Sequence, residues 1–325
     1  MQTIYGPIPS RRLGQSLGVD PVPLKTCNWN CVYCQLGRSS RLETERRVYV
    51  PTALVIGELR EFFARSNAPH VDWISFVGSG EPTLHSELGE MIRAAKDLQR
   101  APVAVLTNGT GLSDGIVRRE LAAADLVMPT LSAADETLHR RIHRPHPALN
   151  FAQHVAGLKT FRAEFDGKLW IEVMLLRGVN DAEEQLSRLA RLIREIGADE
   201  VQITLPTRPP AEAWVEPPDA EGLMRAVAIL GHDLVLGHPQ VHGYGLSHGD
   251  PVRVAEELQA MVMRHPMSEA QINEALALWS PDDAAEVRRR LADDVRLHRV
   301  ERRGVLFWVA AEARFLEVGG EPGSR

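Results

Sequence analysis

Cysteine is nearly missing from this sequence: there are 3 in 325 residues, and none lies outside positions 27–34. A small, odd number excludes the disulfide framework that staples small secreted domains. No run of about 18 apolar residues occurs, which excludes a membrane-spanning helix. The opening Met1-Gln2-Thr3-Ile4-Tyr5-Gly6-Pro7 has neither the basic start nor the apolar stretch of a signal peptide, so a cytoplasmic protein is expected. A basic excess is absent as well. The formal net charge is −6 and the pI about 6.1, which argues against general polyanion binding. Otherwise the chain is 44% hydrophobic and 25% charged, an ordinary composition for one large domain with a small second one.

What cysteine there is forms one string, Cys27-Asn28-Trp29-Asn30-Cys31-Val32-Tyr33-Cys34. A structural zinc site normally closes with four ligands. No histidine precedes His70, so zinc would have to borrow His85 or another distant group. Simple burial is the other plain reading, since free cysteine is often buried, but three buried cysteines would not be expected to gather in a polar Asn-Trp-Asn loop. The spacing favours thiolate ligation of an iron–sulfur cluster. Three thiolates leave one iron of a four-iron cluster without a protein ligand, open to a chelating small molecule. The surroundings are locally basic: from Arg11 to Arg47 there are seven bases against three acids. Such a run is a solvated rim, a dock for an acidic electron donor, or a surface for a phosphate-bearing substrate.

Strand-like segments at 71–77, 103–107, 126–131, 169–176 and 201–205, with an earlier one near 17–24, alternate with amphipathic helical patterns. That alternation predicts βα units and a parallel sheet, about six units against the eight of a closed barrel. Polar residues fall where strands should end: Gly78-Ser79-Gly80-Glu81-Pro82, Thr107-Asn108-Gly109, Thr130-Leu131-Ser132, Val179-Asn180-Asp181 and Thr207-Arg208-Pro209-Pro210. One end of a parallel sheet is where α/β proteins bind ligands.

Residues 232–250, rich in Gly, His and Pro, read as a crossing segment between a core domain, 1–249, and a tail domain, 250–325. His238, His242 and His248 lie there, but their spacing fits no tight metal site. The tail reads as a small winged helix. A helix is expected up to Pro266. A second starts at a Ser268/Gln271 capping box, a third is capped by Ser280 with Pro281 at its first position, and two short strands hinge at Gly304. From Pro251 onward there are eleven arginines, no lysine and thirteen acids. This charge weakens a DNA-binding reading, although Arg288, Arg289 and Arg290 could make a local phosphate face. Packing on the core or holding a peptide fits the charge better.

The cysteine string, followed 46 residues after Cys34 by Gly80, resembles the radical S-adenosylmethionine (SAM) enzymes. The resemblance implies an α/β fold, a partial (βα)6 TIM-like barrel with its site at the carboxyl ends of the strands. It implies a [4Fe–4S] cluster on Cys27, Cys31 and Cys34, with SAM on the open iron. Tyr33 would lie against the adenine, and Gly80, Glu81 and Pro82 would hold the methionine amino group. Asn108, Ser132 and Asn180 would sit near the SAM carboxylate or ribose. Reduction by a flavodoxin or ferredoxin would cleave SAM to methionine and a 5′-deoxyadenosyl radical that abstracts hydrogen from substrate.

Arg144, Arg208 and Trp214 are substrate-contact candidates at the barrel mouth. More narrowly, Tyr5-Gly6-Pro7-Ile8-Pro9-Ser10-Arg11-Arg12-Leu13-Gly14, residues 76–84, Arg144-Pro145 and Arg208-Pro209-Pro210 resemble an uncharacterised bacterial and archaeal family. That family is related to the wybutosine-type tRNA-modifying enzymes. Two departures stand out: Ser132 replaces the family's usual aspartate, and no cysteines remain for a second cluster. With no further cysteine there is no methyl-carrying thiol, and with little chain before Cys27 there is no room for a cobalamin domain. The favoured function is therefore SAM-dependent hydrogen abstraction from an unidentified RNA, peptide or protein. The alternatives are tRNA modification and an iron–sulfur redox-sensing regulator with a winged helix.

Overall fold

The computed structural model describes residues 3–10, 12–66, 68–231 and 250–315. Strand β1 (Ile4–Ser10) runs antiparallel to β2 (Gly14–Val19), and from β2 onward each neighbouring pair is parallel. Helix α1 (Thr52–Ala64) follows β2, α2 (Leu88–Asp97) follows β3 (Trp73–Phe76), and α3 (Gly115–Leu121) follows β4 (Val103–Thr107). Two helices, α4 (Glu136–His143) and α5 (Phe151–Glu164), follow β5 (Leu126–Pro129). Then come β6 (Lys168–Met174), α6 (Glu183–Ile196), β7 (Glu200–Thr204) and α7 (Ala220–Leu230). The strands stand side by side in sequence order, with β1 and β7 at the edges. Six βα units in a curled, open sheet make the partial barrel that the sequence alternation predicts.

Alternation along each strand sorts residues between two faces. Leu17, Ile74, Val105, Val127, Ile171 and Val201 face the helices and form the main core. The opposite, concave face carries Ala104, Leu126 and Met128 with Trp73 and Trp170, capped by Leu13. Polar side chains share that face. Ser16 donates to Ser75 at 2.7 Å, and Glu172 receives Thr130 Oγ1 at 3.0 Å and the Arg12 guanidinium. Strand β1 lies outside the strand-like segments read from the sequence, and it contains Gly6, Pro7 and Pro9. An edge strand tolerates proline, and its pairing with β2 slips between Tyr5 and Ile8.

The C-terminal residues form a second unit of α8 (Pro251–Arg264), β8 (Met267–Ser268), α9 (Glu269–Trp279), α10 (Ala284–Asp293), β9 (Leu297–Arg302) and β10 (Val305–Ala310). Its three strands pair in the order β8-β10-β9. A core of its own gathers Leu258, Met261, Leu276, Trp279, Leu291 and Trp308. The capping box forms as expected, Ser268 Oγ accepting from the Gln271 N–H at 3.2 Å. Ser280 does not cap the third helix. It ends α9, and α10 begins only at Ala284, because residues 281–283 make a turn in which the Asp283 N–H donates to the Ser280 carbonyl. The expected boundary at 249/250 abuts residues 232–249. Those residues, with His238, His242 and His248, lie outside the described ones. Among the described residues no helix is long and apolar enough to cross a membrane.

One buried ion pair joins the two units. Arg264 Nε, at the end of α8, donates to Asp20 Oδ2 at 2.7 Å, and the two side chains are 8% and 1% exposed. Asp20 also receives the Ser79 N–H at 3.1 Å and the Ser79 hydroxyl at 2.6 Å. Burial pushes the Asp20 carboxyl up, and Arg264 and then Ser79 draw it back down. Removing one partner of such a pair leaves a buried charge uncompensated and costs about 3–5 kcal/mol. Arg264→Met is therefore expected to lose stability of that order in chemical denaturation. A loss under about 1 kcal/mol would show that Ser79 alone satisfies Asp20.

Candidate active site

The cysteine loop leaves the carboxyl end of β2 at Asp20 and is held from below by the end of α4. The Val32 N–H donates to the Ile142 carbonyl at 2.9 Å, and the Asn30 N–H to that of His143 at 3.0 Å. Trp29 is the loop's anchor. It is 2% exposed, and its ring lies 4.2 Å from His143, 5.1 Å from His139 and 5.6 Å from His154, centroid to centroid. A fixed tryptophan between Cys27 and Cys31 makes the loop a shaped object rather than a floppy tether. The Cys34 N–H then donates to the Cys31 carbonyl, and the Gly37 N–H to that of Cys34, both at 3.1 Å.

All three thiols are free and partly exposed. Hydrogen-bond donors reach their sulfurs: the Trp29 N–H is 3.4 Å from Cys27 Sγ, Asn108 Nδ2 is 3.9 Å from the same atom, and Lys25 Nζ is 3.2 Å from Cys34 Sγ. His143 Nδ1 lies 3.5 Å from Cys31 Sγ. Burial, and then the Glu81 carboxylate, push the Cys27 thiol up to about 12. Burial and the two neighbouring thiols push Cys31 well above its ordinary value. Sulfurs close enough to repel one another as thiolates, and furnished with donors, are the donor set that a cationic inorganic core requires. Among the described residues no three His, Cys, Asp or Glu side chains converge on a point suited to a single metal ion. A cubane offers four separate corners, so its thiolates need no common point. His85, the histidine a zinc site would borrow, is engaged elsewhere. It is fully buried with Nε2 2.8 Å from the Val50 carbonyl, and Nδ1 accepts from the Glu87 N–H.

The Gly78–Pro82 motif closes directly onto this loop. A Cβ on Gly80 would collide with the Thr26 carbonyl, and the Glu81 N–H donates to that carbonyl at 2.8 Å. Glycine is required here by the close approach of the neighbouring loop. The Glu81 carboxylate, 2% exposed, accepts from the Thr83 N–H and hydroxyl at 3.0 and 2.6 Å, the Thr107 hydroxyl at 2.6 Å and the Asn108 N–H at 2.7 Å. Desolvation nonetheless raises its pKa. Asn108 returns to the cysteine loop, donating to Asn28 Oδ1 at 2.6 Å.

The remaining expected residues divide. Tyr33 is partly buried, with its hydroxyl 3.3 Å from His143 Nδ1. Ser132 and Asn180 tie β5 to β6. The Met174 N–H donates to Ser132 Oγ, and Asn180 Nδ2 donates to the Ser132 and Met174 carbonyls at 2.9 and 2.8 Å. Arg144 sits beside the loop, pairing with Glu212, which also holds Arg38. Trp214, two residues on, is 45% exposed. Arg208 is turned inward, donating to the Pro266 carbonyl at 3.0 Å and to Gln35 Oε1 at 2.9 Å. Sequence reasoning missed Lys25, Asn28, Glu212 and the concave-face pair Arg12–Glu172. Glu172 alone left a signal: a charge at every-other-residue spacing in a strand otherwise apolar.

A profile of the radical SAM superfamily matches residues 22–205, more than half of the chain and the whole stretch from the cysteine loop to β7. The chain belongs to the radical SAM superfamily. Members of this superfamily use a [4Fe–4S] cluster and SAM. A UPF0026 protein of Methanocaldococcus jannaschii is 30% identical over 95% of this chain and 96% of its own length. A second UPF0026 protein, from Synechocystis, is 41% identical over 63% of this chain and 76% of its own. Among solved structures, a radical SAM methyltransferase from Sphaerobacter thermophilus is similar with a TM-score of 0.48 and 20% identity, covering 66% of this chain and 63% of that one.

The histidine nest under the radical SAM cysteine loop carries a pH signature. Burial first, and then neighbouring charge, lowers His139 to about 4 and His154 to about 3, and puts His143 well below its ordinary value. Folded-state values below the unfolded value of about 6.5 mean that the unfolded chain takes up more protons on acidification. Stability is thus complete above about pH 6.5 and is lost as pH falls from there toward 4. Thermal melts between pH 7.5 and 4.5 should show a falling midpoint, shallower in His154→Leu. A midpoint flat across that window would contradict the assignment.

Proposed function

We propose that this chain is a SAM-cleaving radical enzyme in which Cys27, Cys31 and Cys34 hold a [4Fe–4S] cluster by three corners. When bound, the cluster and SAM together supply one-electron cleavage of the sulfonium to methionine and a 5′-deoxyadenosyl radical, which takes a hydrogen atom from substrate. The observation that carries the reading is the junction of three loops: Glu81 and Gly80 close on Thr26 beside Cys27, and Asn108 spans Glu81, Asn28 and the Cys27 sulfur. Such a junction places a cluster loop and a polar loop at the carboxyl ends of adjacent strands, where a ligand bridging both would lie.

In this proposal Tyr33 lies against the adenine, and residues 80–82 with Asn108 meet the methionine end. Among the described residues Glu81 Oε2 accepts a single donor, the Asn108 N–H, and keeps capacity for a ligand ammonium. Ser132 and Asn180 act indirectly, by fixing the ends of β5 and β6 to one another. Substrate enters the concave face, where Arg12 and Glu172 are its first polar partners, with Arg144, Arg38 and Trp214 at the rim. Arg208 serves as a brace in place of a substrate contact. A flavodoxin- or ferredoxin-type donor supplies the electron, and the substrate is an RNA, a peptide or a protein side chain. The oxidoreductase- or lyase-type outcome depends on that substrate.

The C-terminal unit has the helix–strand–helix–helix–strand–strand order of a winged helix, and we assign it the task of bracing the cysteine loop. The turn between β9 and β10 lies on the core. Arg302 donates to the Ala213 and Val215 carbonyls at 3.1 and 2.7 Å, and both Arg302 and Arg303 pair with Glu216. Arg288, Arg289 and Arg290 are each ion-paired within the unit. A regulator reading DNA would need those surfaces free.

Anaerobic reconstitution with iron, sulfide, dithionite and SAM tests the proposal. 5′-Deoxyadenosine and methionine should accumulate with wild-type protein and fall at least about 100-fold in Cys31→Ala, as loss of an essential catalytic group does. Fully loaded protein that forms neither product would leave the sensor reading in its place.

A further inference from the structure

Lys25 stands two residues before Cys27 in the left-handed backbone region, at φ +62°. A non-glycine residue there carries a strain of about 1–2 kcal/mol and persists only where its surroundings impose it. Two interactions impose it here. The Lys25 N–H donates to the Ser79 carbonyl at 2.6 Å, which latches the cysteine loop to the Gly78–Pro82 motif. The side chain leaves in another direction, and Nζ donates to the Gly37 carbonyl at 2.5 Å and to Cys34 Sγ at 3.2 Å. The ammonium is therefore fixed by a backbone oxygen on one side and pointed at the Cys34 sulfur on the other. A lysine placed only for solubility has no reason to adopt this backbone or to turn its charge inward.

We propose that Lys25 sets the reduction potential of the cluster that Cys34 helps to hold, an assignment that rests on the cysteine reading above. One-electron reduction by an external donor adds one negative charge to the inorganic core. No bond forms or breaks at Lys25. A charge-assisted hydrogen bond to a ligating sulfur, inside a partly desolvated loop, favours the more negative state and so raises the potential. Lys25 is a positioning and tuning residue, distinct from the groups that touch SAM.

The test compares anaerobically reconstituted wild type with Lys25→Met, Lys25→Gly and Lys25→Arg. Iron and sulfide are quantified first, and the potential is then read by EPR-monitored titration. Glycine suits the left-handed backbone, so the Lys25→Gly variant separates loss of charge from loss of fold. Iron and sulfide should match wild type in all three. At the wild-type midpoint, the reduced-to-oxidised ratio should fall about tenfold in Lys25→Met and Lys25→Gly, equivalent to 59 mV for one electron, and recover most of the way in Lys25→Arg. An unchanged midpoint in loaded Lys25→Gly would overturn the proposal. So would Lys25→Met and Lys25→Gly both failing to hold iron that wild type holds, since Lys25 would then be a latch alone. Wild-type protein without iron and sulfide would instead overturn the cysteine reading and this assignment with it.

Discussion

The site depends on one buried carboxylate, that of Glu81. Its oxygens accept from donors on two strand-end loops, and its backbone N–H reaches a third, the cysteine loop at Thr26. Charge taken out of water is expensive unless it is hydrogen-bonded. Glu81 is met on both oxygens, by three donors besides the Thr83 amide, and in accepting them it holds β3, β4 and the cysteine loop in one register. The Asn108–Asn28 hydrogen bond completes this fastening and fixes Cys27 relative to the loop after β4. The carboxylate helps to push the Cys27 thiol up, a bias that a cationic core held by this sulfur would relieve.

A second carboxylate extends the same logic outward. Asp20 begins the cysteine loop, accepts from Ser79 of the polar motif, and pairs with Arg264 of the C-terminal unit. Around it the α8–β8 turn and the chain after β10 add further fastenings beside Cys34. Gln35 donates to the Arg264 carbonyl at 3.1 Å and lies 3.0 Å from His265 Nδ1, and the Arg38 N–H donates to the Arg314 carbonyl at 2.8 Å. The tail is thereby fastened to the cysteine loop at several points.

Much of this was legible in the residues. The 3.6- and 2-residue periodicities gave six βα units, because helices and strands that bury one face must repeat their apolar residues at those spacings. The cysteine spacing and Gly80-Glu81-Pro82 picked out two loops that the fold brings into contact at Thr26 and Glu81. What escaped were partnerships set by distant chain segments. Arg208 sits at a strand end among prolines and looks like a substrate contact, but Gln35 and Pro266 claim it, and Pro266 comes 58 residues later. Ser280 has the chemistry of a helix cap and follows a helix instead of starting one. Lys25 carries no motif at all, and only its backbone angle and the position of its ammonium give it meaning.

The most direct measurement is the Mössbauer spectrum of protein loaded anaerobically with iron-57 and sulfide, recorded before and after addition of SAM. The account predicts cubane iron in which a single site changes its isomer shift when SAM arrives, because one corner has no thiolate from the chain. Irons that all remain equivalent and indifferent to SAM, or protein that takes up zinc in place of iron and sulfide, would contradict it.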